Sequence, residues 1–290
     1  MDSQKLFSRV KKLQLLSAKL MENLLAGNYR SVFRGPGLEF DEVREYVEGD
    51  DARLIDWNVS SRMASPYTKT FREEREMVLF IIMDVSPSLY YGSGDTNKIE
   101  VIQTLYALLA FAAVQNNDRV GGAFFTDRIE RWVPPMKGKK QALRLVQDML
   151  AIEPEGTGSD LALSMRTVQE FSKQRGICVI LSDFKSTGYW RELSQLSKKH
   201  DVIAIRVLDE NDESFPKTGL LQLQDPETGE TVLSYGKGKK FNAQYRKYWE
   251  AQKLRWTQEC HKRGVDTLSI YTSEDPAERL IRFFKRRKKG

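Results

Sequence analysis

The sequence is poor in cysteine and histidine, with two of each among its 290 residues. Neither Cys178 nor Cys260 belongs to a CxxC pair, so a disulfide framework or a zinc ribbon is not expected. Cys178 lies in an apolar run and is predicted to be a small core residue. His200 and His261 each stand in the polar context of a helix end, where we expect solvated side chains rather than metal ligands.

Long apolar runs and nucleotide-binding loops are also absent from the sequence. No window reaches about 18 consecutive apolar residues, so no transmembrane helix is expected. The charged N-terminus lacks the compact apolar stretch of a secretory signal, and we predict a cytoplasmic protein. No Walker A loop and no strand-associated GxGxxG occurs, which argues against ATP hydrolysis or dinucleotide chemistry. Both histidines are predicted outside the loops that follow the strands, so no Ser-His-Asp triad emerges.

The net charge of +6 is concentrated at one end of the chain. Five positive charges lie in the tail at 285–289, which leaves a net charge of only +1 for the other residues. Basic tails can bind acidic proteins, nucleic acid or anionic lipid, although a frayed and solvated terminus is the simpler interpretation. The near-neutral remainder argues against a dedicated nucleic-acid-binding protein.

The hydrophobic pattern divides the chain into two regions, residues 1–76 and residues 77–287. The first region is predicted to begin with a helix over 3–26, because apolar side chains recur there every three or four residues. An extension dense in glycine, arginine and acidic residues follows. In it we expect loops, a short helix near 40–47 and extended chain from 67 to 72.

The second region alternates apolar strands with amphipathic helices. Continuous apolar runs at 77–83, 177–181 and 202–208 have the length of strands buried on both faces. Further strands are expected at 119–126, 129–133 and 268–271, with a hairpin over 220–234. Helical patterns lie at 97–115, 139–150, 160–172, 190–199 and 240–262, and a last helix begins after the capping sequence DPAE at 275–278. This alternation predicts an α/β fold with a doubly wound, mostly parallel sheet, Rossmann-like in its layers.

Polar residues follow the buried strands of this predicted sheet. Asp84, Ser86 and Ser88 come directly after the first strand, Asp183 follows the second buried strand, and Thr157 precedes a helix between them. Ligands of open α/β sheets bind beyond the carboxyl ends of the strands, so we expect these side chains to meet. All of them are oxygen donors, which favour Mg²⁺, Mn²⁺ or Ca²⁺ over zinc or copper. Taken alone, the DxSxS sequence is also compatible with an ordinary loop or helix cap.

The three segments in this order resemble the metal-ion-dependent adhesion site of von Willebrand factor type A domains. The resemblance implies that Ser86 and Ser88 bind the metal directly, and that Asp84, Thr157 and Asp183 bind it directly or through water. It also implies that an acidic side chain of a partner fills the open position on the metal. The expected protein is therefore a non-enzymatic binding module whose cofactor is Mg²⁺, with Mn²⁺ or Ca²⁺ as alternatives.

A second, narrower resemblance covers roughly residues 27–287. The sequences RGPGLEF at 34–40, YVEGDD at 46–51, RLIDW at 53–57 and the later Arg62 are similar to the signature of the family called domain of unknown function 58. DRVG at 118–121, DPETGE at 225–230 and FFKRR at 283–287 fit the same family, whereas Leu89 stands where methionine often follows DxSxS. The resemblance implies partnership with a MoxR-type AAA+ ATPase in systems that mature or activate other proteins.

The signature in the first region permits several interpretations. Acidic and basic residues lie close together there, which predicts an ion-pair network that fastens the extension to the sheet domain. Alternatively, they form a docking surface for the ATPase or its client, for which the candidate residues are Arg34, Glu39, Asp50, Asp51, Asp56 and Arg62. A second metal site at Asp50 and Asp51 is a further alternative. Trp57 is expected to be a packing anchor.

An enzymatic alternative is a metal-dependent phosphohydrolase that uses Asp84 as its nucleophile. A phosphatase of the haloacid dehalogenase type would require a second carboxylate two residues later, as a general acid. The residue at that position is Ser86, whose hydroxyl cannot serve as a general acid at neutral pH. The sequence therefore favours a binding module over an enzyme.

Overall fold

The computed structural model describes residues 39–63, 65–72, 77–213, 220–224, 231–235 and 239–287, together with Leu13. The described residues belong to two units, one within Arg34–Met77 and the other including everything from Val78 onward. Apart from Leu13, the helix predicted over 3–26 lies outside the described residues, and so does the turn predicted at 225–229.

The smaller unit is built on an antiparallel strand pair. Strand β1 (Glu39–Glu45) pairs with β2 (Tyr67–Arg72), and between them lie a 3₁₀ turn at Ala52–Leu54 and helix α1 (Trp57–Met63). The short helix predicted near 40–47 is therefore wrong. Hydrophobic period cannot separate helix from strand over so few residues, and the partner strand β2 supplies the backbone hydrogen bonds that decide the outcome.

The larger unit contains the sheet that the apolar runs predicted. Its strands, with the separate hairpin β8–β9, are β3 (Val78–Asp84), β4 (Arg119–Phe125), β5 (Ile129–Met136), β6 (Ile177–Ser182), β7 (Asp201–Leu208), β8 (Leu220–Gln224), β9 (Thr231–Tyr235) and β10 (Asp266–Tyr271). The strand order is β10-β7-β6-β3-β4-β5, and every neighbouring pair is parallel except β4 and β5. The prediction of a mostly parallel sheet is confirmed.

Helices flank this sheet. They are α2 (Lys98–Gln115), α3 (Lys139–Ala151), α4 (Leu161–Phe171), α5 (Trp190–Lys199), α6 (Glu210–Glu213), α7 (Lys239–Lys262) and α8 (Pro276–Arg287). Helix α2 packs against α3 and α8, while residues of α4, α5 and α7 form a core cluster with Val78, Phe80 and Ile82 of β3. All seven residues of β3 are buried, as expected for a central strand with helices over both faces.

Helix α2 is the one helix in the described part of the chain that is long and apolar enough to cross a membrane. Most of its apolar stretch is buried inside the fold, which is typical of a core helix in an α/β domain. The cytoplasmic location stays a prediction.

Two polar side chains differ from the sequence expectation. His200 is buried rather than solvated, because its Nε2 lies 2.9 Å from the Ser172 hydroxyl and its Nδ1 accepts the Gly176 N–H at 3.2 Å. Burial lowers the pKa of His200 to about 4. Arg287 is not part of a solvated tail, because its guanidinium pairs with Asp201 and, at 2.7 Å, with Asp266.

Candidate metal centre

The predicted site lies where the winding of the sheet reverses. The chain leaves β3 toward β4 on one side, whereas β6, the other neighbour of β3, leads to β7 on the opposite side. Such a reversal opens a crevice at the carboxyl ends of the two central strands. Asp84 is the last residue of β3 and Ser182 is the last residue of β6, so their loops meet at this crevice.

Asp84 is the centre of a buried hydrogen-bond cluster. Its Oδ1 accepts the backbone N–H of Ser86 at 2.9 Å. Its Oδ2 accepts the hydroxyls of Ser182 at 2.7 Å and Ser159 at 2.9 Å. Three segments that are distant in the sequence therefore converge on one carboxyl group, which is fully buried.

The hydroxyls of Ser86 and Ser88 lie side by side next to Asp84. Their oxygens are 3.2 Å apart, and both residues are buried. Ser86 precedes the 3₁₀ turn Pro87–Tyr90, but its side chain makes no capping hydrogen bond there. The two oxygens consequently keep lone pairs that a hard cation can use.

The buried position of Asp84 disfavours the ionised form of its carboxyl group. Burial raises the pKa of Asp84 to about 6, and the nearby charge of Asp183 adds to this rise, against the opposing hydrogen bonds of Ser86 and Ser182. In the described part of the chain, no lysine or arginine forms an ion pair with Asp84. A bound cation would supply the positive charge needed to balance this carboxylate.

Asp183 already has an internal cationic partner, which the sequence reasoning missed. The Lys98 ammonium lies 2.9 Å from Asp183 Oδ2 and 3.5 Å from Asp212 Oδ2, and Lys98 is only 3% exposed. Burial opposes the charge on Lys98, but Asp183 and Asp212 outweigh it and raise the pKa of Lys98. Lys185 pairs with the other oxygen of Asp212 at 2.6 Å. A lysine at a helix start carries no sequence signal for such a buried role.

The loop before α4 contributes Ser159 to the cluster. Thr157 is exposed, and in the described residues no hydrogen bond joins it to Asp84, Ser86 or Ser88. The serine hydroxyl two residues later donates to Asp84 instead. Asp160, the residue after Ser159, caps α4 by accepting the Leu163 N–H at 2.8 Å.

The same loop is fastened to the turn between β4 and β5. Glu130 accepts the Gly156 N–H at 2.8 Å and the Thr126 hydroxyl at 2.6 Å, and the Asp160 N–H donates to the Thr126 carbonyl at 2.8 Å. A Cβ at Gly156 would lie 2.0 Å from Thr126 Oγ1, so only glycine permits this approach. The position of Ser159 thus depends on a strand turn far from it in sequence.

The loop after β6 has an unusual backbone conformation. Phe184 has a φ of +53°, in the left-handed region that bulky residues rarely adopt. Its N–H donates to the Ser182 hydroxyl at 3.0 Å, and its ring packs 5.0 Å from the Trp256 ring. These contacts hold the strained residue in place, as is common beside functional sites.

The oxygen atoms at this site suit a hard cation, although few of them are charged. No three carboxylate, imidazole or thiol groups converge on one point within the described ranges. A divalent ion would therefore depend on Asp84, on the hydroxyl pair and on water, which is a set that Mg²⁺ accepts and zinc does not favour. Of the predicted ligands, Asp84, Ser86 and Ser88 lie together and Asp183 is paired with Lys98, whereas Thr157 is exposed and makes no described hydrogen bond to them.

The candidate docking residues form local pairs within the smaller unit. Arg44 pairs with Asp50 at 2.8 Å, Arg53 lies 3.7 Å from Asp51, and Lys69 lies 3.1 Å from Asp56. The hydrogen bond from Arg44 holds the pKa of Asp50 below its usual value. Arg34 and the side chain of Glu39 lie outside the described residues, and Arg62 is exposed.

Trp57 was expected to be a packing anchor, and this expectation is wrong. Its side chain is 71% exposed at the start of α1, where Asp56 caps the helix through the Asn58 N–H at 3.0 Å. The capping carboxylate fixes the direction of the first turn, and this direction leaves the indole in solvent.

Three comparisons relate this chain to known proteins. An uncharacterized protein of Mycobacterium tuberculosis (strain H37Rv) is 27% identical over 292 residues, which cover 100% of this chain and 92% of the relative. Two solved structures are similar at low identity. BatB from Bacteroides thetaiotaomicron, a conserved hypothetical protein, has 13% identity and a TM-score of 0.45 over 74% of this chain and 100% of its own. An aerotolerance-related membrane protein from Bacteroides fragilis has 14% identity and a TM-score of 0.47 over 73% of this chain and 98% of its own.

Both TM-scores are too low to carry a functional argument. The comparison with family models, in contrast, identifies the family. A model described as "Protein of unknown function DUF58" matches residues 42–255, which is well over half of the 290 residues. The chain therefore belongs to the DUF58 family.

Proposed function

We propose that this protein is a non-enzymatic, divalent-cation-dependent protein-binding module with a von Willebrand factor A-like sheet domain. Mg²⁺, or Mn²⁺ or Ca²⁺ in its place, is held by Ser86, Ser88 and Asp84. The observation that supports the proposal is the hydroxyl pair, 3.2 Å apart, beside a buried carboxylate whose pKa is raised by burial and by a neighbouring negative charge. The loop hydroxyl assigned to this site is that of Ser159 instead of Thr157, because Ser159 reaches Asp84.

The charge balance explains why such a site would bind an acidic partner. Lys98 and Lys185 offset the charges of Asp183 and Asp212, so of these three described carboxylates Asp84 is the one that remains to balance the metal. A divalent ion held by one carboxylate and neutral hydroxyls keeps a net positive charge. Its free coordination position consequently attracts an anionic side chain from another protein.

The proposed partner of this module is a MoxR-type AAA+ ATPase, in the maturation or activation of other proteins. This part rests on the family resemblance in the sequence. In the smaller unit Trp57 and Val47 are 71% and 59% exposed. Tryptophan is enriched among the residues that dominate binding at protein interfaces, so this unit is the proposed second contact region.

Calorimetric titration of the full chain with Mg²⁺ tests the proposed site. We use Asp84→Asn because alanine would leave the Ser86 N–H and the Ser159 and Ser182 hydroxyls without their acceptor. Wild type should bind Mg²⁺, Asp84→Asn should not, and Thr157→Ala should bind as wild type does. Equal binding by wild type and Asp84→Asn would refute the site. A pulldown with both proteins, with and without EDTA, then asks which partner requires the metal.

The geometry does not favour the phosphohydrolase alternative. A phosphatase of the haloacid dehalogenase type needs a general acid two residues after its nucleophile, and the residue there is Ser86, whose hydroxyl lies 3.2 Å from that of Ser88 and cannot serve as an acid at neutral pH. A panel of phosphate esters with Mg²⁺ distinguishes the two functions, since turnover that Asp84→Asn abolishes would establish the enzyme.

A further inference from the structure

Arg206 is a buried cation without a carboxylate partner. It lies in β7 and is only 4% exposed. Its Nε donates to the Asp183 carbonyl at 3.1 Å, and this is the one hydrogen bond that its guanidinium makes in the described structure. No ion pair within 4.0 Å involves Arg206 among the described residues. The two terminal nitrogens of the guanidinium therefore have no acceptor among the described residues, and they still reach solvent, because the fully buried atoms without a partner do not include them.

The Trp256 indole covers this guanidinium. The Arg206 carbon Cζ lies 5.4 Å from the centre of the Trp256 ring, and Trp256 is 5% exposed. The indole Nε1–H is also buried and finds no hydrogen-bond acceptor in the described part of the chain. Burial raises the pKa of the Tyr189 phenol, and the nearby Trp256 N–H and Arg206 oppose this rise. Tyr189, Trp256 and Arg206 therefore lie together.

The contacts of Arg206 leave its charge without a counter-charge. Burial removes much of the hydration of an ion, which its contacts must then replace. The cation–π contact with Trp256 and the one hydrogen bond to the Asp183 carbonyl replace only part of it. A water molecule could accept the free N–H groups, but it would leave the charge of Arg206 unbalanced.

We propose that Arg206 and Trp256 form a buried binding site for a small oxyanion, either a phosphate or a carboxylate. The oxyanion accepts hydrogen bonds from the terminal guanidinium nitrogens and from the indole N–H, and its charge balances that of Arg206. The low exposure of both side chains limits the occupant to a small group. This site is distinct from the proposed cation site, because it includes neither Ser86 nor Ser88.

The chain offers a matched control for Arg206. Arg263 also lies over an indole, with its Cζ 5.0 Å from the centre of the Trp190 ring. Unlike Arg206, it is paired with a carboxylate, Glu259, at 2.7 Å. Replacement of Arg263 therefore removes a stacked guanidinium whose charge is already balanced, and it should leave oxyanion binding unchanged.

The test is a fluorescence titration of the full-length protein at constant ionic strength and with EDTA. Inorganic phosphate and acetate are the two probes, since they separate a tetrahedral from a planar oxyanion. Wild type and Arg263→Met should bind at least one of them saturably, and Arg206→Met should lose about tenfold or more in affinity. Trp256→Phe should lose the fluorescence response that a nearby anion produces.

Two results would overturn this assignment. One is the absence of saturable binding of both probes to the wild type, and the other is equal affinity in wild type and Arg206→Met. If Arg206→Met does not fold, Arg206→Lys takes its place, because it keeps the positive charge and loses the planar fork of donors. Arg206→Lys should also lose about tenfold in affinity, and wild-type affinity in this variant would contradict the site.

Discussion

Replacement of Asp84 by asparagine should stabilise the protein when no metal is present. The folded-state pKa of Asp84 is about 6, compared with its ordinary value of 3.8. The folded protein therefore binds a proton more readily than the unfolded chain, and stability rises as the pH falls from about 6 to about 4. Above pH 6 the ionised carboxylate lowers stability. The difference of about two pH units corresponds to about 3 kcal/mol.

Asparagine removes this electrostatic cost while keeping most of the shape of Asp84. Only one of the two terminal atoms of asparagine can accept hydrogen bonds, so the groups that donate to the other atom must reorient. This reorientation reduces the gain in stability. The Ser159 and Ser182 hydroxyls can rotate to accept instead of donating. We therefore expect Asp84→Asn to raise the free energy of unfolding by about 1–3 kcal/mol near neutral pH.

The assay is urea unfolding with EDTA, followed by tryptophan fluorescence, at about pH 7.5 and about pH 4.5. The gain of Asp84→Asn should shrink at the lower pH, and the slope against urea should stay unchanged. Asp95→Asn is the control, because Asp95 is exposed and should change stability by less than about 0.5 kcal/mol. A less stable Asp84→Asn protein at about pH 7.5, or an equal gain at both pH values, would refute the reasoning.

Three other substitutions have expected outcomes in the same assay. Lys98→Met should cost about 3–5 kcal/mol with EDTA, because it leaves buried Asp183 without its cation. Added Mg²⁺ should restore more stability to this variant than to wild type, because the ion can then balance Asp183 in place of Lys98; an equal response of both proteins to Mg²⁺ would contradict this reasoning. Gly156→Ala should weaken Mg²⁺ binding and stability, because its Cβ meets a neighbour at 2.0 Å, whereas Gly94→Ala, with nothing within 4 Å, should have little effect. Arg287→Ala should cost about 1–3 kcal/mol, because two aspartates lose their shared partner; a change below about 0.5 kcal/mol would show that the tail is solvated after all.

The fold was predictable where the sequence carries a strong local pattern. The apolar runs that became β3, β6 and β7 are buried along almost their whole length, so their composition alone identified them. Strand β1 was mistaken for a helix, because its seven residues carry no decisive period and its partner β2 begins more than twenty residues later. Burial of His200 was equally invisible, since it depends on a serine hydroxyl 28 residues away.

The candidate site was also predictable only where its residues lie close together in the sequence. Asp84, Ser86 and Ser88 are adjacent in sequence, so the turn after β3 brings them together without help from other segments. Lys98 meets Asp183 across 85 residues, and nothing in a single sequence reports such a pair. Whether Thr157 or Ser159 reaches the cluster depends on a contact across 75 residues, from the Ser159 hydroxyl to Asp84, which a single sequence does not report either.

Asp183 connects the two proposed sites in different ways. Its carboxylate pairs with Lys98 beside the cation site, and its backbone carbonyl accepts the Arg206 N–H beside the oxyanion site. A ligand that moves the loop after β6 at one site therefore changes the geometry at the other. Thermodynamic linkage requires this coupling to be reciprocal. The factor by which phosphate changes the affinity for Mg²⁺ should equal the factor by which Mg²⁺ changes the affinity for phosphate, and Arg206→Met should reduce the first factor to one.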